Sequence, residues 1–246
     1  MKLTVLGYWG GYPWQGEGTS SYLLQAEGYN LLIDAGSSTL NVLQTEISPF
    51  EIDSVLISHY HHDHIADLGV LQYYRQLAPQ PEGVGILPIY GHQEDQQQFE
   101  KLTLAGISQG ISYHEADQLD LGPFTVTFLR TVHPVTCFAM RIVEKQTRKV
   151  LVYTADTGYF PELSEFVRGA DVLLSDTYFL TGHENHHAHL TSKETGELAK
   201  RNNVKTLLLS HLSQTCDLDV LKEETSNFAG ADVTVQLAYE NLTLTI

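Results

Sequence analysis

Six consecutive residues, His59-Tyr60-His61-His62-Asp63-His64, place five side chains that can bind a metal on one short loop. Imidazole and carboxylate together suit a borderline divalent cation, Zn²⁺ first, with Mn²⁺ or Fe²⁺ also admitted by a donor set free of thiolate. A packing role for so dense a cluster is disfavoured, because each buried polar group would need its own partner. Asp63 and His64 can diverge from His61, so one loop can feed two ions. It does not complete two coordination spheres. His133, Asp156 and His211 each stand at or just beyond the end of an apolar run. A carboxylate such as Asp156 can bridge two cations ~3.5–4 Å apart, which a neutral imidazole cannot.

The elements that would position these groups are short apolar runs of strand character: Leu3–Leu6, Ser21–Leu24, Leu31–Ile33, Ser54–Ile57, Phe124–Leu129, Cys137–Val143, Val150–Tyr153, Val172–Leu174, Thr206–Leu209 and Val233–Ala238. Helical spacing is found in Ala66–Leu77, Glu94–Leu104, Ser192–Asn202 and Leu218–Phe228. This alternation predicts a layered α/β fold, and the lack of linkers or repeats predicts a single domain over residues 1–246. Two short echoes stand out. Leu56-Ile57-Ser58-His59 matches Leu208-Leu209-Ser210-His211, and Leu32-Ile33-Asp34-Ala35-Gly36 matches Tyr153-Thr154-Ala155-Asp156-Thr157-Gly158. Each apolar strand ends abruptly in a ligand-type residue, as expected of two similar halves facing one cleft.

Composition narrows the partners. Fourteen Lys+Arg against thirty Asp+Glu give a formal charge of −16, which opposes non-specific nucleic-acid or anionic-membrane binding. No apolar run reaches the ~18 residues of a bilayer span. Two cysteines, Cys137 and Cys216, make no disulfide framework, so a cytoplasmic protein is expected.

The ordered set H-x-H-x-D-H, followed by His, Asp and His at strand ends, resembles the metallo-β-lactamase superfamily over nearly the whole chain. The resemblance implies a four-layer αββα sandwich with a dinuclear site at one rim. His59, His61 and His133 would hold one metal, Asp63, His64 and His211 the other, and Asp156 would bridge them. Asp34 matches the family's acidic residue that orients a ligand loop from behind. The antibiotic-cleaving branch commonly has a Cys ligand on its second metal, and neither Cys137 nor Cys216 is so placed. A glutathione thioesterase of this superfamily carries a C-terminal helical domain, for which the 35 residues after His211 are too few.

Asp176 at the end of one run, followed by His187-Ala188-His189-Leu190-Thr191, looks like the ribonuclease Z branch. There a carboxylate, more often Glu, supports the His of an H-x-T motif. The resemblance makes His189 a general acid toward a basic leaving alkoxide, held charged and aimed by Asp176, with Asp63 orienting or deprotonating a metal-bridging hydroxide. Thr191 doubles as the N-cap of the following helix. His183, His186 and His187 read as a solvated loop, and His92 and His114 as structural. The tRNA-processing members insert a gripping arm between the His133 and Asp156 positions. Here only 22 residues separate them, so tight tRNA binding is not expected. The expected substrate is a phosphodiester in short RNA, at RNA 3′ ends, or in a small or cyclic nucleotide. The same metals would also serve lactone or thioester hydrolysis, or a metal-holding module without turnover. Arg141, Lys145, Arg148 and Lys149 form a basic hairpin that is either a solvated tip or a phosphate contact. Tyr8, Trp9, Tyr12 and Trp14 are candidates for a homodimer contact or a pocket roof.

Overall fold

Strands of three to seven residues rich in Leu, Val and Ile bury both faces only when sheets carry helices over them, and nearly every run above is built that way. A computed structural model describes residues 1–246, which divide into two compact units: 1–114 with 239–245, and 115–238 with 246.

The first unit holds β1 (Lys2–Gly7), β2 (Ser21–Ala26), β3 (Tyr29–Ile33), β4 (Ser54–Leu56), β5 (Leu87–His92), β6 (Ser108–Tyr113) and the C-terminal strand β14 (Thr243–Thr245). Their order is β14-β1-β2-β3-β4-β5-β6. Pairing is antiparallel from β14 to β3 and parallel from β3 to β6. Helices α1 (Thr39–Glu46), α2 (His62–Ile65), α3 (Leu68–Leu77) and α4 (Gln96–Glu100) complete the unit. Its core joins Leu6, Leu23, Leu32, Val55 and Ile89 of the sheet to Leu40 and Leu43 of α1 and Leu68 and Leu71 of α3.

The second unit holds β7 (Gln118–Leu121), β8 (Phe124–Arg130), β9 (Phe138–Glu144), β10 (Val150–Tyr153), β11 (Val172–Asp176), β12 (Thr206–Ser210) and β13 (Thr234–Leu237), ordered β13-β12-β11-β10-β9-β8-β7. Pairing is antiparallel from β7 to β10 and parallel from β10 to β13. The helices are α5 (Pro161–Val167), α6 (Ser192–Arg201) and α7 (Leu218–Ala229). A β-carbon on Gly196 would lie 2.6 Å from the Thr225 carbonyl oxygen, so only glycine lets α6 and α7 touch.

The units therefore repeat one topology of three antiparallel and then three parallel pairings. This corrects half of the sequence echo. β3, ending at Asp34, corresponds to β10, which leads to Asp156, as expected. β4, leading to His59, corresponds to β11 with Asp176, while β12, leading to His211, corresponds to β5 and the buried His92.

Other expectations shift locally. The metal-type motif is not all loop, because His62–Ile65 is helical. The helix expected over Ala66–Leu77 begins at Leu68, where Asp67 turns its carboxylate to the Leu40 amide (2.9 Å). The helix expected over Glu94–Leu104 shrinks to α4, because the Leu104 amide bonds Ser108 and reverses the chain. β5, β6, β7, β14, α1 and α5 were not read. β5 carries Pro88 and β6 is largely polar, which masked both. Three of the four basic hairpin residues are engaged locally. Arg141 donates to the Phe166 carbonyl, Lys145 pairs with Asp120 (3.0 Å), and Lys149 pairs with Asp171 (3.1 Å).

Candidate metal and acid–base sites

In the first unit the organising group is Asp34. Its residue is fully buried and sits at φ 54°, turning the chain at the exit of β3. Its Oδ1 accepts the Ser58 amide (2.7 Å), and its Oδ2 accepts the Ser58 hydroxyl (2.8 Å) and His64 Nδ1 (2.8 Å). A carboxylate only accepts, so His64 carries its proton on Nδ1 and presents Nε2 as a lone pair, the form a metal ligand needs. His59 Nδ1 lies 3.1 Å from Ser58 Oγ, and His59 Nε2 lies 3.1 Å from His61 Nδ1. Asp63 Oδ2 accepts the Gly11 amide (2.7 Å) and lies 3.6 Å from His64 Nε2. Gly11 takes φ 75°, a conformation favouring glycine. The chain passes so close at Gly36 that a β-carbon there would stand 2.2 Å from the Asp63 carbonyl oxygen. His59 and His61 thus offer one adjacent donor pair, and Asp63 and His64 another. His62 points to solvent and joins neither.

In the second unit Asp156 lies beyond β10, after Ala155 at φ 50°, and Thr131 donates to its carbonyl (2.8 Å). Its Oδ2 stands 3.2 Å from His211 Nε2 and 3.8 Å from His133 Nε2. The Ala188 carbonyl accepts from His133 Nδ1 (3.2 Å), which fixes the proton there and leaves Nε2 bare. Asp176, ending β11, is fully buried in its side chain. Its Oδ2 accepts His189 Nδ1 (2.9 Å) and the Thr157 amide (3.1 Å), and its Oδ1 lies 3.5 Å from His211 Nδ1. His189, 18% exposed in its side chain, stacks against Tyr178 (4.9 Å, 29°) and against His211 (5.0 Å, 21°).

The segment carrying His189 is braced. Thr191 caps α6 in a reciprocal box with Glu194, as expected, and Glu194 also accepts the Asn185 amide (2.9 Å). Glu224 accepts from Thr181 and Ser192. Gly158 runs beneath it, where a β-carbon would meet the His186 carbonyl oxygen at 1.9 Å. His186 holds the Ala188 amide on Nδ1 (3.2 Å), and its imidazolium form is disfavoured by burial and then by the neighbouring His189 and His187. Within the first unit Asp34, His59, His61, Asp63 and His64 thus lie near one another, and within the second His133, Asp156, Asp176, His189 and His211 do. Sequence reading missed the supporting shell of Ser58, Thr157, Tyr178 and the Ala188 carbonyl. Ser58 alone left a signal, the Ser-His step shared with Ser210-His211.

The donors that could hold a metal and the strands that carry them point to a known class. A model of the β-lactamase superfamily domain matches residues 29–212, and the chain belongs to that family of metallo-hydrolases. The α/β metallo-β-lactamase sandwich expected from the sequence is the fold found. Among its relatives is the probable metallo-hydrolase YhfI of Bacillus subtilis, 42% identical over 96% of each chain. The crystal structure of YhfI superposes with a TM-score of 0.94 at 40% identity, covering 99% of this chain and 98% of that one. Ribonuclease Z of Bacillus thuringiensis is 25% identical over 91% of this chain and 92% of its own. A diphosphatase of the PhnP family shares the fold with a TM-score of 0.76, 22% identity and coverage of 100% and 97%. No helix is long and apolar enough to cross a membrane.

Proposed function

We propose that the protein is a dinuclear metal-dependent phosphodiesterase. His59, His61 and His133 would take one divalent cation, Asp63, His64 and His211 the other, with Asp156 shared. The donor sets fit, since the hydrogen bonds fix His64 and His133 with bare Nε2 atoms and no thiolate competes. All-N/O ligation favours Zn²⁺. Bound there, such cations would supply Lewis acidity and a water acidified toward neutrality. Two dications against Asp63 and Asp156 leave about +2 of formal charge for an anionic diester, despite the acidic exterior.

The observation that carries the phosphodiester reading is the Asp176–His189 pair at 2.9 Å. With Nδ1–H committed to a buried carboxylate, the working atom of His189 is Nε2. As a general acid His189 would give its Nε2–H to the departing alkoxide, and help of this kind is worth ~10²–10⁴-fold. Asp63, held by the Gly11 amide, would orient the attacking water. A thioester, whose thiolate leaving group is far less basic, has less need of such an acid. That a 25% identical relative is a ribonuclease Z supports phosphoester chemistry here. The stretch between His133 and Asp156 is filled by β9, β10 and their turn, leaving no room for a tRNA-gripping arm, so a small diester or short RNA is the proposed substrate. A cytoplasmic enzyme fits its two free cysteines.

His189→Ala should slow an alkyl phosphodiester about 10²–10⁴-fold while leaving metal content unchanged. An aryl diester with an acidic leaving group should lose far less. Equal rates for variant and parent on the alkyl diester, or turnover of lactones alone, would overturn the reading.

A further inference from the structure

We infer that Ser58 is a positioning residue that relays the Asp34 carboxylate to His59 and so sets which nitrogen His59 offers to a metal. Asp34, Ser58 and His59 are all fully buried, so the hydrogen bonds among them are not exchanged with water. Ser58 owns one hydroxyl proton, and it is spent on Asp34 Oδ2 at 2.8 Å. Toward His59 Nδ1, at 3.1 Å, the same oxygen is left only with a lone pair. Nδ1 must therefore carry the imidazole proton, and Nε2 must be bare. The backbone amide of Ser58 on Asp34 Oδ1, at 2.7 Å, holds the hydroxyl in place to do this.

One carboxylate thereby commands two imidazoles, His64 directly and His59 through a hydroxyl. The direct contact governs a ligand proposed for one ion and the relay a ligand proposed for the other. Outer hydrogen bonds of this kind typically change metal affinity 10–100-fold. Serine is suited because it both donates and accepts in a space with no water. Alanine ends the relay, whereas threonine retains the hydroxyl.

This rests on the metal reading above for its consequence, but not for its tautomer, and the experiment separates the two. In metal-free protein, ¹⁵N-resolved spectra of the His59 ring should show a single form protonated on Nδ1. Ser58→Ala should convert it to a mixture, and Ser58→Thr should restore it. In competition with a chromophoric chelator, one of the two Zn²⁺ ions per chain should weaken about 10–100-fold in Ser58→Ala and recover in Ser58→Thr, with the other changed much less. A mixed or Nε2-protonated His59 in the unmutated protein, which needs no variant to fold, overturns the relay. Equal zinc affinities in parent and Ser58→Ala overturn its effect on the metal. A parent that takes up no zinc overturns the metal reading and leaves the tautomer to be judged by the spectra.

Discussion

Asp34, fully buried, gathers three donors from Ser58 and His64. Replacing it with asparagine keeps the volume but leaves one polar atom facing donors with N–H bonds of its own. We expect Asp34→Asn to cost about 1–3 kcal/mol of stability from unmatched buried donors, read by chemical denaturation. It should also lower zinc affinity about 10–100-fold, read by chelator competition. Unchanged values of both would mean that the carboxylate is not what organises the first unit. Asp176→Asn tests the second unit differently. Without the carboxylate that accepts His189 Nδ1 at 2.9 Å the ring is no longer aimed, so the rate on alkyl diesters should fall toward that of His189→Ala, while aryl diesters, which need little protonation, lose much less. At this scale the sequence was most legible. Side-chain chemistry marks a candidate ligand, and the motif spacing put His59, His61, Asp63 and His64 on one short segment, where their side chains lie near one another. What it did not declare were backbone partners, such as the Ala188 carbonyl on His133, because every residue has a carbonyl.

Elements place these residues by ending abruptly, and the parallel strands β10, β11 and β12 end at the second unit's site. Their opposite ends are pinned by Asp171, which accepts the Val150 amide (2.9 Å), Lys149 (3.1 Å) and Lys205 (2.7 Å). Burial by itself would raise Asp171, but Lys205, the Val150 amide and Lys149 outweigh it and hold the carboxyl below the ordinary range. The sign follows. A depressed carboxyl contributes stability that is full above the unfolded-state value near ~3.9 and is lost as pH falls through the folded one. Asp171→Asn should therefore flatten the acid limb of the stability curve below about pH 5, with a loss of about 1 kcal/mol or less at pH 7 because both lysines are well exposed. An acid limb as steep as the parent's would show that other carboxylates govern it. Gly158 tests the segment above. Gly158→Ala forces a β-carbon into the His186 carbonyl, so the stretch bearing Ala188 and His189 must move. Diester turnover should fall at least tenfold, with the His133 ring resonances shifted in the metal-free protein. Strands with β-branched runs were legible, and polar or proline-bearing ones such as β6 and β5 were not. Their hydrogen bonds come from neighbours distant in sequence, which local patterning does not register. α5 did carry a readable start in Pro161 at its first turn.

For the whole molecule, what the repeated topology implies is thermodynamic. Each unit carries an incomplete donor set of imidazoles and carboxylates already oriented by its own hydrogen bonds, so little ordering remains to be done when a cation binds. A group that binds the folded chain and not the unfolded one raises stability by RT ln(1 + [L]/Kd), about 2.7 kcal/mol at one hundred times Kd. For a chain of this length each kcal/mol moves the midpoint by about 2–4 °C. Zinc at one hundred times its Kd should thus raise the melting midpoint of metal-free protein by about 5–10 °C, and a chelator should reverse it. If the ligand assignment proposed above holds, the shift must depend on Asp63 and His211 alike. Asp63→Ala and His211→Ala should each remove much of it, and the double variant should lose less than the sum of the singles, since both would serve one ion. Strict additivity would mean that these two residues do not serve the same ion, and that assignment would have to be abandoned.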